Sequence, residues 1–185
     1  MKESKIAWGI TGAGDKINEI VNEMEALVEE KPVDLHVYVS KAGEQVLKWY
    51  NIRNEIEEKF EKFSIEKNAN SPFLAGNLQT GRYEGLILAP CTSNSVAKIA
   101  HSIGDTLLTN SALMALKAYV SVYIMPVDLE AGEIETKLPT GEILKMRVRE
   151  EDERNVEKLR KIDGVHIVEG PHDIKPKVER MIEGG

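Results

Sequence analysis

"LAPCTSNSVAKIAHSIGDTLLTN" (residues 88–110) starts as a buried strand and finishes as a helix. At the change from one to the other lie Pro90, the single cysteine Cys91, and four small polar residues, Thr92, Ser93, Asn94 and Ser95. A hydroxyl or amide just before a helix caps its free N–H groups, which explains one of the four. Four in a row exceed that need and could offer donors to a phosphate or a polyol. Cys91 reads most simply as a small buried residue at a strand end. A nucleophilic role would require a neighbouring base, and no sequence signal supplies one.

The flanking chain repeats the same alternation. Apolar runs over 5–11, 33–40, 84–90, 120–126 and 164–170 read as strands. Between them, 15–30 places Ile17, Ile20, Val21, Met24 and Leu27 on one helical stripe. Segments 42–50, 52–63, 92–105, 110–119, 150–162 and 173–183 also read as helices, the last started by Asp173. Residues 64–83 have many turn formers and little periodicity, and read as loop. The alternation over 133–148 predicts a β-hairpin turning through Pro139-Thr140-Gly141, with Gly141 left-handed, Glu135 opposite Lys145 and Glu133 opposite Arg147.

Strands that alternate with helices predict an α/β, Rossmann-like three-layer sandwich: a mainly parallel sheet covered on both faces, plus the hairpin after the 120–126 strand. The 185 residues predict one domain, 1–185. Ligands of such sheets sit beyond the carboxyl ends of the strands, which selects 11–15, 40–43, 89–94 and 125–128.

Composition narrows the function. A formal net charge of −7 argues against nucleic acid or an anionic membrane as the main partner. No apolar run reaches the ~20 residues of a membrane span, and the start of the chain lacks a signal-peptide pattern. One cysteine forms no internal disulfide and fits a cytoplasmic location. His36, His101, His166 and His172 show no metal-ligand spacing, so no metal is expected. Trp8 and Trp49 are expected in the core.

The first loop is "GITGAGD" (9–15), whose glycines let backbone N–H groups approach an anion at a helix N-terminus. Its spacing is not the dinucleotide fingerprint G-x-G-x-x-G. The second strand ends in Ser40-Lys41 rather than in an acid for a ribose diol. A hydroxyl and an ammonium suit a phosphate, so the two loops favour a mononucleotide over NAD. Ordinary tight turns between strand and helix would use glycine as well.

"GITGAGD", "VYVSKAG" (37–43) and "LAPCTSNSVAKIAHSIGDTLLTNSALMALKA" (88–118) together resemble the flavoprotein family of the homo-oligomeric flavin-containing Cys decarboxylases and flavin prenyltransferases, which also includes the B subunit of dipicolinate synthase. Within it, the chain most resembles archaeoflavoprotein and the dihydromethanopterin reductases, archaeal FMN proteins that take electrons from ferredoxin-type donors. The resemblance implies FMN as cofactor, bound at subunit contacts of a homo-oligomer, a trimer or a multiple of it. It places Thr11, Gly12, Ala13 and Gly14 near the flavin and Ser40, beside Lys41, at the phosphate. Thr92, Ser93 and Asn94 would hold the phosphate or ribityl chain, with Cys91 a small neighbour. Asp105 and Thr106 would lie near the cofactor or the adjoining subunit.

The departures from the family bear on activity. The decarboxylases carry a catalytic His before the third strand, and 64–83 has none. Their P-x-M-N motif reads Pro126-Val127-Asp128 here. The prenyltransferases place arginines where this chain has Val127 and Asn110, so the charge-assisted grip on a prenyl phosphate is missing. Electron transfer or reduction by the flavin itself is the expected activity, with a pterin as a candidate acceptor. A decarboxylase or prenyltransferase relative and a non-catalytic oligomeric subunit are the alternatives. A single cysteine cannot hold an iron–sulfur cluster, so electrons would come from outside. Lys145, Arg147 and Arg149 could dock ferredoxin or another acidic carrier. They could equally pair with Glu133 and Glu135 across the hairpin, and the hairpin could be a lid over the flavin.

Overall fold

The computed structural model describes residues 4–183. Six strands form one sheet: β1 (Ser4–Ile10), β2 (Val33–Val39), β3 (Lys62–Ile65), β4 (Gly85–Cys91), β5 (Ser121–Pro126) and β8 (Val165–Ile167), in the order β3-β2-β1-β4-β5-β8. Every neighbouring pair is parallel. β1 runs out to β2 and β3 on one side, and the later strands continue from β4 on the other, so the connection reverses between β1 and β4. That reversal opens a crevice at their carboxyl ends. The remaining pair, β6 (Gly132–Lys137) and β7 (Ile143–Val148), is the antiparallel hairpin.

The helices divide into two layers because apolar residues leave both faces of the sheet. On one side α1 (Ile17–Glu30), α2 (Lys41–Trp49), α3 (Arg53–Lys59) and α8 (Ile174–Glu183) pack Ile20, Met24, Leu47, Ile56 and Val178 against Trp8, Val37 and Ile87. On the other, α4 (Leu74–Gln79), α5 (Ser93–Ala100), α6 (Leu107–Lys117) and α7 (Glu150–Arg160) pack Leu78, Val96, Leu108, Ala112 and Val156 against Ala7, Tyr38, Leu86 and Ile124. β4 is therefore apolar throughout and β1, β2 and β5 are largely so, as strands buried on both faces require, whereas the edge strand β3 carries Lys62 and Ser64.

The hairpin has the expected register, Glu133 opposite Arg147 and Glu135 opposite Lys145, with Gly141 at φ +92° in its turn. Three expectations are corrected. The helix expected over 52–63 stops at Lys59, and 62–65 becomes β3. Phe60 turns extended and sinks against Trp8, ring centroids 5.4 Å apart, while 62–65 pairs with the open edge of β2. Tertiary pairing thus overrides local helical preference. The 64–83 loop contains the end of β3 and the short helix α4, anchored by buried Leu74 and Leu78. The helix expected from Asn110 begins at Leu107, because Thr106 and Thr109 form a reciprocal capping box three residues earlier. At the chain's end a single 3-10 turn, Pro171–Asp173, precedes α8.

Candidate functional site

Two neighbouring structures meet at the carboxyl ends of β1, β2 and β4: a set of helix starts and an apolar cavity. Thr11 joins the first of these to the sheet. Its buried Oγ1 donates to the Pro90 carbonyl at 2.8 Å and accepts the Thr92 N–H at 2.9 Å. Both bonding directions of the hydroxyl are used inside the protein, so Thr11 fixes the start of α5 against the first loop. β4 tolerates Pro90 in a central strand because its pairing with β5 shifts register between Leu88 and Cys91.

Thr92 caps α5, its Oγ1 accepting the Ser95 N–H. The Ser93 and Asn94 N–H groups, also in that first turn, have no partner among the described residues. Ser93 Oγ donates to the Asp128 carboxylate, and Asn94 is exposed. The start of α5 thus offers two free amides at the positive end of a helix. Ser40 caps α2, accepting the Gly43 N–H at 2.9 Å; its own proton stays available to a ligand. The Lys41 N–H is bonded to Glu66 Oε2 at 3.1 Å.

The glycines of the first loop are required by packing. A Cβ on Gly12 would stand 2.7 Å from that of Ala42, and one on Gly14 would stand 2.3 Å from the Tyr50 ring. The first loop is therefore pressed against α2 and the residue that ends it. These contacts seat Gly12, Ala13 and Gly14 in the wall of a cavity of about 490 Å³. Trp49, Tyr50, Leu144, Met146, Val127 and Asp128 form much of the rest. The hairpin roofs the cavity with its apolar face, Ile134 opposite Met146 and Thr136 opposite Leu144, and Tyr50 Oη reaches the Lys137 carbonyl at 3.4 Å. Trp49 is 69 % exposed, whereas Trp8 is wholly buried and donates to the Ala89 carbonyl. Trp49 belongs to the cavity and not to the core.

The expected residues thus fall into groups. Thr11, Gly12, Ala13, Gly14, Ser40, Thr92, Ser93 and Asn94 gather around the β1/β4 crevice. Asp105 lies exposed at the end of an ion pair with Lys98, 2.9 Å, whose hydrogen bond holds its carboxyl below the usual range. Thr106 serves as the cap of α6. Cys91 is fully buried, and desolvation pushes its thiol up to about 12, which leaves no thiolate at neutral pH. Of the hairpin cations, Lys145 pairs with Glu135 at 3.3 Å and Arg149 with Asp152 at 2.6 Å, so the cross-hairpin alternative holds for Lys145. Sequence reading missed Glu66, because it missed β3, and missed Trp49 and Tyr50, because a helix end carries no signal of what lies over it. Asp128 closes the 125–128 loop expected at the ligand end of the sheet and departs from the family motif there, and it is bonded to Ser93.

The Flavoprotein family model matches residues 1–183. The chain belongs to the Flavoprotein family. Among flavoprotein relatives, an uncharacterized protein of Methanocaldococcus jannaschii is 45 % identical over 179 residues, 97 % of this chain and 96 % of that one. The dihydromethanopterin reductase (acceptor) of the same organism is 39 % identical over 143 residues, 73 % of this chain. The match spans only 58 % of that curated reductase. A crystal structure of Burkholderia xenovorans DmrB in complex with FMN, described as a cubic protein cage for redox transfer, superposes with a TM-score of 0.82. It is 30 % identical, covering 98 % of this chain and 97 % of that one. The family and fold implied by the three sequence segments are therefore the ones found.

Proposed function

We propose that this protein binds FMN in the β1/β4 crevice and uses it to reduce a small acceptor. The observation that carries the reading is the adjacency of an anion seat and an apolar slot. The free amides of Ser93 and Asn94 and the Ser40 hydroxyl suit a phosphate. The cavity walled by Trp49, Tyr50 and the apolar face of the hairpin suits a flat aromatic ring. Dihydromethanopterin reductases among the relatives and the FMN complex of DmrB support the same assignment, with a pterin as the acceptor class. When bound, FMN would supply the redox chemistry.

This chain's own residues hold, orient and shield. The hairpin keeps water from one side of the slot, and Ser93 fixes the direction of the Asp128 carboxylate at its wall. A single cysteine supplies too few thiolates for an iron–sulfur cluster, so the electron donor is external, and a ferredoxin-type carrier fits. Homo-oligomeric assembly, a trimer or a multiple of it, is part of the proposal. It is supported by the cage formed by DmrB and the dodecamer formed by an Escherichia coli neighbour.

Prenyl transfer is disfavoured. Asn110, where prenyltransferases carry an arginine, spends its amide on the Ala69 carbonyl and Asn70 Oδ1. Val127 adds no charge.

The test is reconstitution. Purified apoprotein titrated with FMN should turn yellow and retain flavin through gel filtration. After reduction, it should reoxidise on addition of dihydromethanopterin. A protein that takes up no FMN overturns the proposal. One that binds FMN but passes electrons to no acceptor would be a non-catalytic subunit.

A further inference from the structure

We infer that Glu66 is a positioning residue for the phosphate end of this site, an inference that rests on the FMN reading above. Glu66 directly follows β3 and is tied to β2 by its N–H, which donates to the Val39 carbonyl at 2.8 Å. Its carboxylate spans two helices. Oε2 accepts the Lys41 N–H at 3.1 Å and Oε1 accepts the Leu107 N–H at 2.9 Å.

Lys41 and Leu107 are the first residues of α2 and α6. Amides at that position have no carbonyl partner within their own helix, and both point the positive end of a helix at the carboxylate. The two helices belong to opposite layers, Leu47 of α2 packing in one core and Leu108 of α6 in the other. One side chain therefore ties the layers together at the carboxyl end of the sheet. The residues just before the two bonded amides are Ser40 and Thr106, the caps of α2 and α6.

The consequence for Ser40 is specific. Glu66 holds the Lys41 N–H, and Ser40 Oγ holds the Gly43 N–H. What α2 still offers to a phosphate is the Ser40 proton and the Ala42 amide. The close approach of Ala42 to Gly12 puts both beside the first loop. Glu66 thereby sets where the Ser40 hydroxyl stands relative to the start of α5. A carboxylate serves two N–H donors with two acceptor oxygens, whereas a carboxamide has one and would turn its own NH₂ towards the other donor.

The experiment compares FMN with riboflavin, which shares the ring and ribityl chain and lacks the phosphate, by flavin-fluorescence titration of the full-length apoprotein. With Glu66→Gln, FMN affinity should fall by about tenfold, the loss expected of a displaced phosphate hydrogen bond, while riboflavin affinity changes by less than about twofold. In a Ser40→Ala background the same substitution should have little further effect on FMN, because Glu66 acts through Ser40. Equal losses for both flavins would show a general structural role and overturn the inference. So would unchanged FMN affinity, or tighter FMN binding from relief of charge repulsion. Should Glu66→Gln melt below the assay temperature, Glu66→Asp, which keeps both acceptor oxygens on a shorter arm, carries the comparison with a smaller selective loss. Wild-type protein that binds neither flavin refutes the FMN reading itself.

Discussion

The hydroxyl of Thr11 donates to the carbonyl of Pro90 at 2.8 Å, across the crevice between β1 and β4. The same oxygen accepts the Thr92 N–H. One buried side chain therefore couples the first loop to the start of α5. Thr11→Val keeps the shape and removes both bonds, leaving the Thr92 N–H unpaired, while the Pro90 carbonyl keeps only the Thr11 backbone N–H at 3.2 Å. It should cost about 1–3 kcal/mol of stability and weaken FMN binding, because the loop and the free amides of Ser93 and Asn94 lose their common anchor. Urea unfolding and flavin titration measure the two effects. A variant as stable as wild type would show that the bonds carry no weight.

Cys91 is the most reactive side-chain type in the crevice and should be inert. Burial raises its thiol to about 12 and removes it from solvent. The native protein should give no reaction with a thiol-specific disulfide reagent at pH 8. The same protein unfolded in guanidinium should react with one equivalent per chain. Rapid labelling of the native state would contradict the burial and reopen a chemical role for the thiol.

Acid stability should depend on a buried polar chain at the other end of β2. His36 Nε2 lies 2.9 Å from Asp34 and its Nδ1 lies 2.8 Å from the Tyr83 hydroxyl, which in turn meets that of Tyr38 at 2.7 Å. Burial drives the His36 pKa below 6.5, against the pull of Asp34. A histidine with a lowered folded pKa stabilises fully above its unfolded value, and that contribution is lost as pH falls towards the folded value. For Asp34, burial acts to raise the pKa, but the Lys5 hydrogen bond and the His36 interactions prevail and hold it below 3.8. That second contribution is lost only on further acidification. The melting temperature should be flat above about pH 7 and decline as pH drops through 6.5. Burial lowers the His166 pKa as well, adding to the decline. His36→Gln should make the first part of the decline shallower. An unchanged profile in that variant would exclude His36 as its source.

The layers of the sheet were legible in the sequence because strands buried on both faces are written as apolar runs, unbroken over 85–91 and interrupted over 33–39 only by Asp34 and His36. The hairpin register was legible because only one turn length places opposite charges across from each other, as Lys145 and Glu135 now are. β3 was not, since "EKFEKF" carries a helical pattern and becomes a strand only where the edge of β2 is open. With β3 hidden, Glu66 had no visible reason to stand at a strand end. The site was legible where residues follow a strand directly, as Ser40 and Thr92 do. Its roof was not, because the contact between Tyr50 and the hairpin joins residues 87 apart in sequence.

Trp49 separates the two tryptophans of this chain into reporters of different regions. Trp8 is buried at the centre of the sheet, and Trp49 lines the cavity proposed for the flavin ring. Flavin within a few ångströms of an indole quenches its fluorescence, so FMN binding should abolish most of the Trp49 emission and leave a larger share of the Trp8 emission. Trp49→Phe should remove the main saturable quenching signal while leaving the fold intact, since a side chain 69 % exposed contributes little packing. Affinity measured through flavin fluorescence should weaken in that variant by less than about 1.5 kcal/mol, the range of one aromatic stacking contact. If the quenching persisted unchanged without Trp49, the ring would lie elsewhere, and the cavity beneath the hairpin would not be the flavin site.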